Sequence, residues 1–356
     1  MSNKKICAMM IIILVCCMYC FSSSVADAKE KKVYRIGYLE PSPFWIFSHD
    51  LEAIKKSLAE MGWKGRVEFP QDAHFSPGRE QGKKALWSKR AEELMSRKDI
   101  DLVITAGTDA TATVLKVNNG KIPIVAISVS DPVKSGLVLN ANDSGVDNFT
   151  VRVVPDKYKR MFEIFHDVVG FKKLGLMYWD TKNGRTYTNL EDARTVAKER
   201  GFEIVEYSKV SESGKAEDCM QGLQELVSQK MDAFFIPSLN CFDWTSGDVK
   251  KLLDFLTENK IPSFARNGTR DVKAGALMGF STVDFSGRGK FVADKIIRIF
   301  QGEKPRSLPM VDNAIPKISF NLHVAEKIGF NPPFDILAAS DELFQEITLP
   351  EDRLVK

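Results

Sequence analysis

Short apolar runs alternate with longer amphipathic segments through most of this chain, and the alternation occurs twice. Runs at 33–39, 66–69, 102–106 and 122–127 make a first series, and runs at 173–178, 203–207, 232–236, 262–265 and 276–281 a second. Helix-like stretches at 46–61, 79–96, 110–117, 190–200, 216–230 and 248–259 lie between them. In one of these, Ala85, Leu86, Ala91, Leu94 and Met95 recur at three- and four-residue steps, the stripe of an amphipathic helix. The run at 102–106 is short, apolar and β-branched, as in a strand covered on both faces. Such alternation predicts parallel sheets with helices on both sides.

The pattern stops at 135–154, a stretch holding Gly136, Gly145, Asn140, Asn142 and Asn148. Pro155 then opens a helix ending near Val169, and the second series follows. A helix at 285–301, an irregular stretch with Pro305, Pro309 and Pro316, and a short helix at 322–328 complete the chain before Pro332-Pro333. The expected fold is α/β, with two doubly wound parallel-sheet lobes. The first lobe takes 29–150 plus 284–315, the second 151–283 plus 316–345, and 346–356 is a tail. Crossings at 144–155, 281–284 and 305–321 form the expected three-crossing hinge. In open parallel sheets ligands bind beyond the carboxyl ends of the strands, so two facing lobes would share one cleft.

The first residues read as a targeting signal. Lys4 and Lys5 precede an apolar run from Ile6 to Phe21, and Ala26-Asp27-Ala28 supplies an A-x-A exit. The run is shorter than the roughly 20 residues that span a bilayer as a helix. A cleaved leader at 1–28 is expected, with an uncleaved anchor as the alternative. The product is expected to be periplasmic or otherwise extracytoplasmic. Of six cysteines, Cys219 and Cys241 alone lie beyond the leader. They fall on neighbouring strand–helix units, and they are either a disulfide or two reduced thiols.

Charge and motifs exclude several classes. The 50 Lys+Arg nearly balance 47 Asp+Glu, leaving +3, so nucleic-acid binding is not expected. No G-x-S-x-G, H-E-x-x-H or Walker loop occurs in the sequence. His49, His74, His166 and His323 are scattered without ligand spacing, so no metal and no cofactor is expected. Gly287-Arg288-Gly289-Lys290 lacks the phosphate-loop spacing and reads as part of a helix start.

Candidate ligand contacts are the residues just past each strand. Gly107 and Thr108 stand at a strand-to-helix turn, where free N–H groups attract an anion; the plainer reading is that Thr108 caps the helix. Ser128, Ser130 and Asp131 offer two hydroxyls and a carboxylate before Pro132; the plainer reading is an Asx-turn. Trp179 and Asn183, then Asn240, then Asn267 within Arg266-Asn267-Gly268, would supply the opposing wall. Trp45, in Pro43-Phe44-Trp45, adds aromatic surface on the first lobe. Each aromatic is either a ligand platform or a packed side chain.

Taken in order, these segments resemble a known family. Asp101-Leu102-Val103-Ile104-Thr105-Ala106-Gly107-Thr108, then Ile122-Pro123-Ile124-Val125, Ser128-Val129-Ser130-Asp131-Pro132-Val133 and Gly136-Leu137-Val138 resemble elements of ABC-transporter substrate-binding proteins of the tryptophan/tyrosine type. So do Leu174-Gly175-Leu176-Met177-Tyr178 with Asn183, Asp232-Ala233-Phe234-Phe235-Ile236-Pro237 with Asn240, Gly275-Ala276-Leu277 with Asp284, and the segment from Asn321 to Gly329. The resemblance implies the type I periplasmic-binding-protein fold. It further implies an exported, monomeric receptor that captures a small solute and delivers it to an ABC permease in the inner membrane. Gly107, Thr108, Ser130 and Asp131 would touch the solute from the first lobe, and Asn183, Asn240 and Asn267 from the second. Leu239 and Arg266-Asn267-Gly268 depart from the family pattern, and the turn at 43–47 is unusually aromatic. An amino acid or a related polar or aromatic compound is the expected solute. A ligand-sensing subunit of a membrane receptor kinase and an exported α/β enzyme are the alternatives.

Overall fold

The computed structural model describes residues 32–79, 83–210, 215–280, 285–313 and 317–355. The leader and the 281–284 crossing read from the sequence lie outside the described residues.

The chain opens with β1 (Tyr34–Leu39), α1 (Trp45–Leu58), β2 (Val67–Glu68), β3 (His74–Phe75), α2 (Lys84–Ser96), β4 (Leu102–Ala106), α3 (Gly107–Lys116), β5 (Ile124–Ile127) and β6 (Phe149–Val151). These strands make one parallel sheet in the order β2-β1-β4-β5-β6, with β3 beside β1. Every residue of β4 is buried, because helices cover both faces and leave a central strand no wet side. β6 falls within the stretch that the sequence reading treats as a break. The strand is three residues long, Phe149, Thr150 and Val151, too few to show a period-two pattern among the surrounding Asn and Gly.

The second series begins with α4 (Lys157–Val169), β7 (Lys173–Met177), α5 (Lys182–Tyr187), α6 (Leu190–Arg200), β8 (Glu203–Tyr207), α7 (Ala216–Ser228), β9 (Ala233–Ile236) and α8 (Val249–Glu258). It continues through β10 (Ser263–Ala265), α9 (Thr269–Lys273) and β11 (Met278–Phe280). After α10 (Phe285–Phe300) come β12 (Ile318–Asn321), α11 (Leu322–Ile328), α12 (Phe334–Ala339) and β13 (Glu342–Phe344). The second sheet has the order β13-β12-β11-β10-β9-β7-β8. It is parallel except where β12 runs against β11, so the all-parallel expectation is corrected at this edge.

Each sheet is sandwiched between two apolar layers. On one face of the first sheet, α1 and α10 pack together, with Leu51, Ile54, Val292 and Ile296 buried between helix and strand. A Cβ on Gly289 would lie 2.5 Å from the Ala53 carbonyl oxygen, so glycine permits this close helix crossing. In the second lobe a disulfide joins Cys219 on α7 to Cys241 beyond β9, which settles the open question in favour of the bond.

Because α10 packs in the first lobe while β11 and β12 belong to the second sheet, the chain passes between lobes three times: after β6, between β11 and α10, and before β12. The first and last passages run side by side. Val153 donates its N–H to the Met310 carbonyl at 2.8 Å, Asp312 donates to Val153 at 2.8 Å, and Arg152 pairs with Asp312 at 2.6 Å.

Candidate functional site

The carboxyl ends of β4 and β5 face those of β7, β9 and β10, and side chains from both lobes meet directly between them. Among the described residues an open recess of about 650 Å³ runs from Asp131 and Lys134 to the 180–192 segment, and two further chambers lie deeper in the cleft. A small one, about 60 Å³, lies at the strand tips and is lined by Ser42, Phe47, Gly107, Thr108, Ser238 and Asn240 among others. A larger one, about 310 Å³, lies toward the crossing strands and is lined by residues of the 127–134 and 152–158 segments together with Asp50, Asn267, Phe285 and Arg288. Ile46, Ser128, Ser130 and Arg266 line both. Small-molecule sites commonly enclose about 300–1,000 Å³, so the larger chamber has the size of a solute and the smaller that of a few waters.

Gly107 begins α3 at φ +80°, and a Cβ there would lie 2.8 Å from the Phe47 ring, so only glycine fits the turn. Thr108 does not cap the helix. The residue before α3 is Ala106, no side chain caps the end, and the Thr108 hydroxyl instead accepts the Ser130 N–H at 3.2 Å. This bond ties the β4 and β5 tips together. Ser128 and Asp131 adopt positive φ, 52° and 36°, and so does Asp156 at 53°; all three line the larger chamber. Left-handed backbone at non-glycine residues is costly and concentrates at functional sites. Asp131 also accepts the Lys134 N–H at 3.0 Å, the local turn bond anticipated for it.

One flank of the cleft is closed by a buried carboxylate. Asp109, in the first turn of α3, accepts from Arg79 at 2.6 Å on its own lobe and from Tyr187 at 2.6 Å across the cleft. Asn183 donates to its other oxygen, also across the cleft. Burial alone would raise the Asp109 carboxyl; the Arg79 charge and the three donors outweigh it and hold the group below its usual range. The Arg79 guanidinium also lies 5.4 Å from the Trp179 ring and 5.8 Å from Tyr187. A second cross-cleft pair, Lys134 with Asp192, stands at the larger chamber.

The other flank is cationic. Arg266, only 8 % exposed, reaches across the cleft to the Ser130 hydroxyl at 2.9 Å and holds Asn189 at 2.7 Å, Tyr158 at 3.1 Å and the Ser238 hydroxyl. All of these partners are neutral. Ser238 in turn donates to Asn267. Arg288 pairs with Asp50 at 2.6 Å, and Lys157 lines the chamber close to both arginines. Burial, followed by the charges of Arg288, Arg152 and Arg266, pushes the Lys157 ammonium well below its ordinary range, with Asp50 opposing.

Of the residues anticipated from sequence, Gly107, Thr108, Ser128, Ser130, Asp131, Asn240 and Asn267 line the two chambers. Asn183 instead bridges the lobes through Asp109. Trp45 and Trp179 line neither chamber. Trp45 packs against His49 and Phe285 with Arg270 5.0 Å over its ring, and Trp179 packs against Tyr187. Large rings gain more from complete burial than from a wet cleft wall. Arg79, Asp109, Lys157 and Tyr187 were not anticipated as site residues, whereas Arg266 belongs to the Arg266-Asn267-Gly268 stretch expected on the opposing wall. Asp109 and Arg266 stand inside the quoted motifs, but their partners lie 28 to 136 positions away.

A family model described as ABC transporter substrate binding protein matches residues 51–343. The chain belongs to this family. A curated relative, a tyrosine-binding protein of Clostridioides difficile (strain R20291), is 25% identical over 290 residues, covering 80% of this chain and 77% of the relative. Among solved structures, an ABC domain in complex with L-Trp from Streptococcus pneumonia superposes with a TM-score of 0.72 at 19% identity, covering 88% of this chain and 100% of that one. A conserved domain protein from Vibrio cholerae gives 0.73 at 20% identity with the same coverage. This substrate-binding protein therefore has the bilobed type I fold and a solute-binding role, and its family serves ABC transporters. The kinase-sensor and enzyme alternatives are not favoured.

Proposed function

We propose that this substrate-binding protein is exported by a cleaved leader at 1–28, acts as a monomer outside the cytoplasm, and captures a small polar solute between its lobes for an ABC permease in the inner membrane. The three crossings serve as the hinge. The observation that supports this most is the set of polar bonds spanning the cleft around a solute-sized chamber: Asn183 and Tyr187 to Asp109, Lys134 to Asp192, and Arg266 to Ser130. A solute touching both walls would favour the closed arrangement by its differential affinity for it. Gly107, Thr108, Ser128, Ser130, Asp131, Asn240 and Asn267 are the proposed contacts. Amino acids are the first class to try, because the relatives' descriptions name tyrosine and L-Trp.

The test is a thermal-shift screen of the purified protein against a panel of amino acids, organic acids, nucleosides and sugars. A solute at 100 times its dissociation constant adds about 2.7 kcal/mol of stability, which registers as a shift of several degrees. At least one class is expected to give that shift, and Ser130→Ala is expected to reduce it. A flat response across the panel contradicts solute capture.

A further inference from the structure

Five cations and four carboxylates, Asp50, Asp131, Asp156 and Asp192, line the larger chamber, but they are not evenly paired. Arg152 is partnered by Asp312 and Arg288 by Asp50. Lys134 is likewise matched by Asp192. Arg266 is different: it makes four hydrogen bonds, and none goes to a carboxylate. Among the described residues Lys157 has neither a hydrogen bond nor an ion pair; its ammonium lies 5.5 Å from the Tyr158 ring centroid. The Arg266 guanidinium lies 4.7 Å from the same centroid. Both charges thus lie against the one phenol ring and stand at most about 10 Å apart.

Stability does not account for this arrangement. Lys157 is the first residue of α4, where a cation opposes the helix dipole; the N-cap residue Asp156 precedes it, but its side chain makes no capping bond. Arg152, Arg266 and Arg288 repel it as well. An anion in the chamber would reverse every one of these terms. We propose that the solute of this cleft is an anion, a small organic acid or phosphate compound whose negative group sits between Arg266 and Lys157 beside Tyr158. This inference rests on the solute-binding reading and narrows it. It also disfavours a large aromatic solute, since Trp45 and Trp179 are packed away and the chamber mixes Ile46, Ile54 and Val129 with charge.

Succinate and inorganic phosphate serve as probes, one for each source of the negative group. Melting is followed for the wild type, Lys157→Met and Arg266→Gln at constant ionic strength, with chloride as the reference. One of the two anions is expected to stabilise the wild type at millimolar concentration, and the better of the two names the class. Each substitution should weaken that anion by about tenfold or more, the loss of one charged hydrogen bond. Lys157→Met should also melt higher than the wild type in chloride alone, which keeps the test decisive if Arg266→Gln fails to fold. The proposal is overturned if neither anion shifts the wild type, or if Lys157→Met retains the full shift. L-tyrosine and L-tryptophan are run alongside. If they bind while the anions do not, the receptor reading stands and only the anionic solute is lost.

Discussion

The two flanks of the cleft use similar side chains to opposite ends. On the Asp109 flank, a carboxylate and a guanidinium from one lobe are matched by an amide and a phenol from the other, so the charge is balanced within the protein. On the Lys157 flank, the arginine that crosses the cleft meets only neutral oxygens and the lysine meets none. A closed set of bonds stabilises one arrangement of the lobes whatever else is bound. An unmatched set stabilises that arrangement further when something outside the chain completes it. The first flank therefore acts as a latch and the second as a recognition surface.

That contrast makes predictions of opposite sign. The largest effect is expected for Asp109→Ala, which leaves Arg79 buried without its carboxylate and removes both cross-cleft acceptors. Breaking one partner of a buried pair costs about 3–5 kcal/mol, to be read by urea unfolding. Replacing Cys219 and Cys241 together by Ala is a control outside the charged flanks, at a position directly behind Asn240 of the small chamber. Their separation of 22 residues predicts a loss of about 3 kcal/mol with no change in solute affinity. A change in affinity there would blur the distinction between scaffold and flank.

Next comes pH. Asp109 is held below its usual value, so its contribution is fully present above about pH 4 and is lost as the pH falls further; Asp109→Asn should flatten acid unfolding there. Lys157 is pushed down from 10.5, so burying its charge is unfavourable at neutral pH and is relieved as the pH rises toward that value. The stability gap between Lys157→Met and the wild type should accordingly narrow with rising pH. The smallest effect is expected for Thr108→Ala, which loses one hydrogen bond worth about 1 kcal/mol and slackens the β4–β5 tips.

Much of the fold was legible because the lobes are built from local signals. β8 at Glu203–Tyr207, α6 at Leu190–Arg200 and α11 at Leu322–Ile328 fall where the apolar patterns place them. What escaped were strands of two to four residues, β3, β6, β12 and β13, whose pairing is decided by neighbours distant in sequence. The site was legible in its backbone, since Gly107 and the Ser128–Asp131 turn must follow buried strands. Its electrostatics were not. Nothing local tells Arg79, which finds Asp109, from Arg266, which finds no acid, and nothing local shows that Trp45 and Trp179 turn inward. Those distinctions arise only when two lobes meet.

Small-angle X-ray scattering measures the meeting of the lobes most directly. Profiles are compared for the wild type and Asp109→Ala, each alone and with the solute that stabilises the wild type in the melting screen. A hinged receptor with one self-satisfied flank predicts that Asp109→Ala is more extended than the wild type, and that solute draws it back to the compact profile. Superimposable profiles for both proteins, with and without solute, would contradict the account.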